Sequence, residues 1–415
     1  MKLFLAFLLS ASVAFAQGTT QNISQFVSGS PDCGIQEAMN AAPATGAHLY
    51  FDITSCTITS PQTVTMITTP TAASPKPLYI DGNGATIYMA HNSGPGLHFF
   101  CPTTNSPVWR ISDLMFVYTG SGSGVNAVEF DAMDYGTTSK LQFFNFNTPG
   151  SWALLLNGAE QDTFIDTDIE YGGISGNGVY LQNGSTADTF VGFKANNVEA
   201  AIHCAACEAW FYSPTIQGAH ATHPIVIDQT AGMASLHVHN AHTEANGDGT
   251  SNASLFYIIM SNYTLIGFEV EDSTLNFQSG HVFQFSGKGF VDQAKITGNE
   301  IFNPNSEGLC TGSQCTNSGI SFQANNVNVW GSGPMGNTWW GPNATPNGGF
   351  VGPVMILTPS IFNNRSVNCG SGTEGAIFRI TDATTTTLGA VVTGGGGSHH
   401  VTLSCNGTNW VVMSE

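Results

Sequence analysis

The chain has 415 residues, of which only 9% are charged; 28 acidic side chains face nine basic ones, a formal charge of −19. A surface of that sign repels phosphate backbones, which excludes a nucleic-acid partner, and it disfavours an acidic polysaccharide unless a cation such as Ca²⁺ bridges the two. The 48 glycines and the scarcity of strong helix formers point to strands and turns.

In chain order, Lys2 precedes the apolar run Leu3 to Leu9, and Ala14-Phe15-Ala16 is an A-x-A cleavage site before Gln17. Residues 1–16 are therefore expected to be a secretory signal peptide, and the protein to be secreted, extracellular or periplasmic. The run is too short to cross a bilayer, and no later segment is apolar for long enough, so no membrane span is expected. Without Lys2, eight basic residues stand against 28 acidic ones, a formal charge of −20. Nine cysteines in an exported chain imply disulfides with one thiol left over. Local pairs are Cys33 with Cys56, Cys310 with Cys315, and Cys369 with Cys405. The pairing of Cys101, Cys204 and Cys207 stays open.

The segment Cys33-Gly-Ile-Gln-Glu-Ala-Met-Asn-Ala-Ala-Pro predicts a short amphipathic helix with Ile35, Ala38, Met39 and Ala42 on its apolar stripe. Such a helix would cap open strand edges. His48-Leu-Tyr-Phe-Asp and Leu78-Tyr-Ile-Asp-Gly-Asn-Gly then read as the first strands and a tight turn.

From there a short apolar strand recurs, with its first apolar residue at Val128, Leu154, Val179, Ile202, Ile225, Phe256, Phe283 and Ile320. The steps are 26, 25, 23, 23, 31, 27 and 37 residues. A second strand family lies between the copies, at Leu141 to Asn147, Phe164 to Glu170, Phe190 to Asn196, Leu236 to His242 and Leu265 to Glu271. About two dozen residues per step, several short strands and Gly/Asn-rich corners describe one coil of a solenoid. The connections leave no room for helical crossovers, so parallel pairing requires the chain to wind. The expected fold is all-β, a right-handed parallel β-helix with an N-terminal capping helix over 17–352, followed by a small β domain over 353–415. In that last part, Gly394 to Gly397 reads as a hairpin tip.

The cap helix, the strand after it and Asp81-Gly-Asn-Gly-Ala-Thr-Ile together resemble the start of the pectate-lyase-like superfamily. The resemblance covers about residues 30 to 345 and implies a secreted polysaccharide lyase, glycosidase or tailspike-like protein. The motifs of the polygalacturonase type are not matched: Ser279-Gly-His-Val is the nearest to Gly-His-Gly, no Arg-Ile-Lys element exists, and Arg379-Ile-Thr belongs to the C-terminal domain. Arg110, Lys140, Lys194, Lys288 and Lys295 are the basic residues of the coils, and none lies in a lyase motif. The C-terminal region resembles the small β modules that close phage tail fibres, which implies a homotrimer.

Aligning the second strand family predicts an outward polar ladder. One position reads Asn145, Asp168, Lys194, Asn240 and Glu269; two residues on it reads Asn147, Glu170, Asn196, His242 and Glu271, with Phe146, Ile169, Ala195, Ala241 and Val270 inward between them. Asp168 with Glu170, and Glu269 with Glu271, place two carboxyl groups about 6.5–7 Å apart along a strand. Glycoside hydrolysis needs such a pair, one protonated and one ionised. Lys194, one coil away, would hold Asp168 ionised while Glu170 keeps its proton. The amides Asn145, Asn147, Asn196 and Asn240, with His242, would bind substrate.

A histidine-rich stretch, His203, His220, His223, His237, His239 and His242, accompanies Cys204, Cys207, Glu244 and Asp248, ligand types that suit Zn²⁺ or Cu²⁺. Export favours a disulfide for Cys204-Ala-Ala-Cys207, and Asn246-Gly-Asp-Gly-Thr is a turn that a Ca²⁺ ion could use. No cofactor is otherwise called for. Trp152, Tyr171, Tyr180, Trp210, Tyr212 and Trp339-Trp340 are rings able to stack on sugars. Two functions follow: a glycoside hydrolase acting on an extracellular polysaccharide, or a non-catalytic glycan-binding, adhesion or tailspike-like protein. Their partner in either case is a glycan.

Overall fold

Apolar residues spaced one coil apart lie in register in the computed structural model, and that register builds the fold. The structure describes residues 20–302 apart from 44, 67–75, 103–107, 171, 173–174, 231, 248–252, 278–280 and 293–294; the backbone of short strands between 309 and 340; and residues 362, 369–370 and 377–414. The expected signal peptide lies outside the described residues.

Each coil contributes one strand to a twelve-stranded parallel sheet, for example Asn126–Asp131, Ser151–Asn157, Gly176–Gln182, Ile202–Ala205 and Ile225–Asp228. Along it Val128, Leu154, Val179, Ile202, Ile225, Phe256, Phe283 and Ile320 are successive partners, as the repeat predicts. The first seven of them are buried. Parallel pairing at every step rules out an antiparallel sandwich for this region, and the expected parallel β-helix stands.

The remainder of each coil runs through a second, twenty-stranded sheet that is bent along a line into two limbs. The leading limb contains Thr163–Ile165, Asp188–Val191, Glu208–Tyr212, Ser235–His239 and Glu269–Glu271. The trailing limb contains Asp168–Glu170, Lys194–Asn196, Thr215–Gln217, His242–Asn246 and Thr274–Phe277. Between the limbs a single left-handed residue turns the chain: Asp113, Lys140, Asp166, Gly192, Ser213, Asn240, Asp272 and Gly298 all have φ between 50° and 70°. Four of these elbow amides bond the next coil: Asp166 N–H to Val191 O (2.8 Å), Gly192 to Tyr212 (3.0 Å), Ser213 to His239 (2.8 Å) and Asn240 to Glu271 (3.0 Å). Asp and Asn tolerate this conformation better than branched residues do. At Gly192 (φ 70°) a Cβ would also come within 2.8 Å of Asp166 Oδ1.

The interior is a stack of aligned rings. Phe164 and Phe190 lie 4.6 Å apart at 12°, and Phe190 and Phe211 4.5 Å apart at 2°. Such pairs contribute about 0.5–1.5 kcal/mol each beyond their burial.

The predicted cap helix is Ile35–Ala41, with Ile35, Ala38 and Met39 buried. The Asp32 carboxylate accepts the N–H groups of Gly34 (3.1 Å) and Gln36 (2.8 Å). Lys76 Nζ donates to the carbonyls of Met39 (2.8 Å) and Ala42 (2.6 Å), which sets a cation at the negative end of the helix. The disulfide Cys33–Cys56 ties the helix to the strand Ser55–Ile58.

The chain divides into two units, Met1–Pro346 and Asn347–Glu415. The second holds a four-stranded antiparallel sheet ordered Ile377–Ala383, His399–Cys405, Trp410–Ser414, Val391–Val392, closed by the disulfide Cys369–Cys405. Gly394 to Gly397 is not a hairpin tip. It joins Val391–Val392 to His399–Cys405, which are separated in the sheet by Trp410–Ser414. The tight hairpin is instead at Asn406 to Asn409, closed by Asn406 N–H to Asn409 O at 3.1 Å.

Candidate functional site

The outward face of the second sheet carries the predicted carboxylates, but on two limbs rather than one ladder. Asp168, Lys194, Thr215, His242 and Thr274 are successive partners on the trailing limb, as are Glu170, Asn196, Gln217 and Glu244. Asp168 and Glu170 therefore meet Lys194 and Asn196, as expected. Glu269 and Glu271 belong to the leading limb, in register with His237 and His239 and, a coil earlier, with Trp210 and Tyr212. The residue beside Asp168 on the preceding coil is Gln142, not Asn145. Asn145 and Asn240 are left-handed bend residues (φ 63° and 54°), and Asn147 lies beyond the end of the strand Thr137–Phe144. His242 falls in line with Asp168, not with Glu170 or Glu271. A polar–apolar–polar triplet fits either limb equally well, and that is the origin of the misplacement.

On the trailing limb, a shallow cleft of about 240 Å³ is lined by Asp113, Lys140, Gln142, Asp166, Asp168 and Lys194. Four elbow residues, Asp113, Lys140, Asp166 and Gly192, thus meet three trailing-limb side chains one coil apart. Burial pushes the Asp168 carboxyl above the ordinary aspartate range, and Lys194 opposes the rise without cancelling it. Asp168 Oδ1 is buried and has no hydrogen-bond partner. Glu170 is also raised, by burial first and the Asp168 charge second, against Lys194. Lys194 therefore does not hold Asp168 down as the sequence suggested, because desolvation outweighs a single exposed ammonium. A half-buried carboxyl with a raised pKa in a polar cleft is suited to giving up a proton.

On the leading limb, rings and carboxylates interlock over three coils. Trp210 stacks on His237 (4.9 Å, 9°) and Tyr212 on His239 (5.1 Å, 12°). His237 Nδ1 lies 3.2 Å from Glu269 Oε2, and His239 Nδ1 3.5 Å from Glu271 Oε2. One ligand atom each from His239, Glu269 and Glu271 lie within 4.8 Å of one another, a set able to hold a divalent cation. A second such set, His98, Glu129 and Asp131, sits on the twelve-stranded sheet, where His98 Nε2 is 3.1 Å from Asp131 Oδ2. Sequence reading missed it, although the 31- and 33-residue steps from His98 to Glu129 and Asp131 are close to one coil.

The remaining histidines do not form one cluster. His203 lies on the twelve-stranded sheet against Tyr180 (4.7 Å), which packs at a tilt against Trp152 (5.1 Å, 35°). His220 bonds Asn197 Oδ1 (2.7 Å), and His223 stacks on Tyr257 (3.9 Å). Cys204 and Cys207 form a disulfide, so neither offers a thiolate to a metal. Cys315, Tyr171, Asp248 and the side chains of Cys310, Trp339 and Trp340 lie outside the described residues.

Three disulfides are compatible with an extracellular protein, and among the described residues no helix is long and apolar enough to cross a membrane. No protein-family model matches the sequence, and no curated protein matches it. Among solved structures, the chain is similar to ORF18 of Geobacillus virus E2 (12% identity, TM-score 0.39, covering 95% of this chain and 76% of that one). It is similar to the A-module of the Azotobacter vinelandii mannuronan C-5 epimerase AlgE4 (12%, 0.35, 80% and 100%). It is also similar to tailspike protein 3 of bacteriophage CBA120 (9%, 0.37, 94% and 68%). At these identities and scores no residue role passes from those proteins to this chain.

Proposed function

We propose that this is a secreted glycoside hydrolase acting on a neutral extracellular polysaccharide laid along the outward face of the second sheet. The carrying observation is Asp168, whose carboxyl is raised by burial within a cleft that also presents Asp166. Asp168 is the general acid that protonates the glycosidic oxygen. Asp166 is the facing carboxylate, acting as base or nucleophile, in place of the Glu170 partner that strand spacing alone suggests, because Glu170 does not line the cleft. Gln142, Lys140 and Lys194 supply hydrogen bonds to sugar hydroxyls. Further along the same face, Trp210 and the 41%-exposed Tyr212 offer rings for stacking.

These same rings favour a second reading, a glycan-binding protein that cleaves nothing. A reducing-end assay of the purified chain across neutral glycans, run beside Asp168→Asn, separates the two. New reducing ends from the wild type and none from the variant support the hydrolase. Binding of a glycan without any release by the wild type overturns it in favour of the second reading.

A further inference from the structure

A hydroxyl, an imidazole and a carboxylate stand in sequence on the leading limb. Ser235 and His237 are two residues apart on one strand, so their side chains leave the same face, and Ser235 Oγ lies 3.0 Å from His237 Nε2. His237 Nδ1 lies 3.2 Å from Oε2 of Glu269, its partner on the next coil. The carboxylate fixes the tautomer. A neutral imidazole facing it through Nδ1 carries its proton there, which leaves the Nε2 lone pair directed at the Ser235 hydroxyl.

The ring is held on both sides. Trp210 stacks on it nearly parallel. Gly267 (φ 74°) leaves the space it needs, since a Cβ there would come 2.9 Å from Cε1 and 3.2 Å from Nε2. The Ser235 hydroxyl has a second acceptor in the Gly267 carbonyl oxygen at 3.2 Å, and rotation between the two directs its proton to Nε2. His237 is only 8% exposed, while Ser235 is half-buried and lines a groove of about 550 Å³ with Thr186, Ala206, Glu208 and the 65%-exposed Met233. Ala206 and Met233 give the hydroxyl an apolar flank on which a short acyl chain can lie.

We propose that Ser235 and His237, oriented by Glu269, hydrolyse acyl esters, with short acyl groups on polysaccharide hydroxyls as the substrate class. Ser235 Oγ attacks the ester carbonyl carbon as its proton passes to His237 Nε2. The carbon–alkoxide bond then breaks, and the sugar oxygen takes that proton. Water attacks the resulting acyl-serine with His237 again accepting the proton; the carboxylic acid leaves and Ser235 is restored. Ser235 and His237 are the catalytic residues, and Glu269 is a positioning residue. None of the three belongs to the Asp168 cleft, so the two activities stand or fall separately.

The test uses the full chain with p-nitrophenyl acetate, an O-acetylated neutral glycan and a fluorophosphonate probe. Acetate and reducing ends are measured in the same samples, so absence of one leaves the other readable. The expected result is a probe adduct on Ser235 and acetate release that falls about 10³-fold or more in Ser235→Ala with unchanged circular dichroism. Glu269→Gln lowers kcat rather than raising KM and alters the pH profile, and Glu269→Asp restores part of the rate, which a purely structural carboxylate would not do. An unmodified Ser235 together with no acetate release by the wild type, or equal release by Ser235→Ala, overturns the proposal.

Discussion

In the cleft at the elbow, one oxygen of Asp168 is buried without a hydrogen-bond partner, and the charge that opposes its raised pKa is an exposed lysine one coil away. Three coils further along the same sheet, both ring nitrogens of His237 are engaged and a tryptophan covers its face. The two patches share strand spacing and register, so backbone geometry does not distinguish them. They differ in how a reactive group is prepared. Asp168 is poised by what its surroundings withhold, namely water and a partner, whereas His237 is poised by partners that fix its orientation. A group prepared by desolvation is sensitive to nearby charge; one prepared by contact is sensitive to shape.

The sharpest break in that comparison is Asp168→Asn. It removes the titrating proton with little change of volume, and glycan cleavage should fall about 10²–10⁴-fold in kcat with KM nearly unchanged. Trp210→Ala at the other patch should instead raise KM for the glycan. If the two variants show the same kcat and KM pattern, the division of labour between cleft and ring platform is wrong.

Shape is tested next at the elbow itself. Gly192→Val places a branched residue at φ 70° and a Cβ against Asp166 Oδ1, so thermal unfolding should register a loss of about 1–3 kcal/mol. Ser213, at the same place in the following coil, already carries a side chain at φ 53°, and Ser213→Ala should cost little. Equal losses at both positions would mean that the contact with Asp166 is not what makes Gly192 the less tolerant of the two.

Those elbows also explain how much of the molecule its sequence discloses. On the twelve-stranded sheet the inward residues are large and recur about once per coil, so Val128 through Ile320 can be aligned without coordinates. The second sheet hides its register because each coil repeats a polar–apolar–polar triplet twice, and the residue between them is Asp, Lys, Gly, Ser or Asn. Any of these reads as an ordinary turn. Asp168 and Lys194 were found because they share one limb, and Glu269 was misplaced because it does not. Ser235 carried no signal at all: a serine two residues before a histidine gains meaning only when Glu269 is brought beside them from 32 residues away.

Charge sensitivity is read from Lys194→Met. Lys194 holds Asp168 below where burial alone would put it, so removing the ammonium raises that pKa further. A general acid works only while protonated, and its activity is lost as pH rises through its pKa. The basic limb of the kcat profile should therefore move to higher pH. A shift to lower pH would show that the limb belongs to a different group.

The smallest expected effect concerns two buried aspartates of the leading limb. Asp162 and Asp188 are fully buried at the start of adjacent leading-limb strands, where Asp188 Oδ1 accepts the Asp162 N–H (3.2 Å) and Asp162 Oδ1 accepts that of Gly136 (2.5 Å). Oδ2 of each has no hydrogen-bond partner. Burial raises both pKa values well above the ordinary range, and for Asp188 the Asp162 charge adds to the rise. A carboxyl raised in the folded state binds more protons there than in the unfolded chain. Stability is then complete below the unfolded value and declines as pH climbs from it toward the folded one. Asp188→Asn mimics the protonated acid and keeps the Oδ1 acceptor. It should leave stability unchanged near pH 4 and raise it by about 1 kcal/mol at pH 8. Because both proteins share every other titrating group, the difference between their melting curves isolates this site. A gain that is the same at both pH values would mean that Asp188 titrates alike in the folded and unfolded chain, so that burial does not raise it.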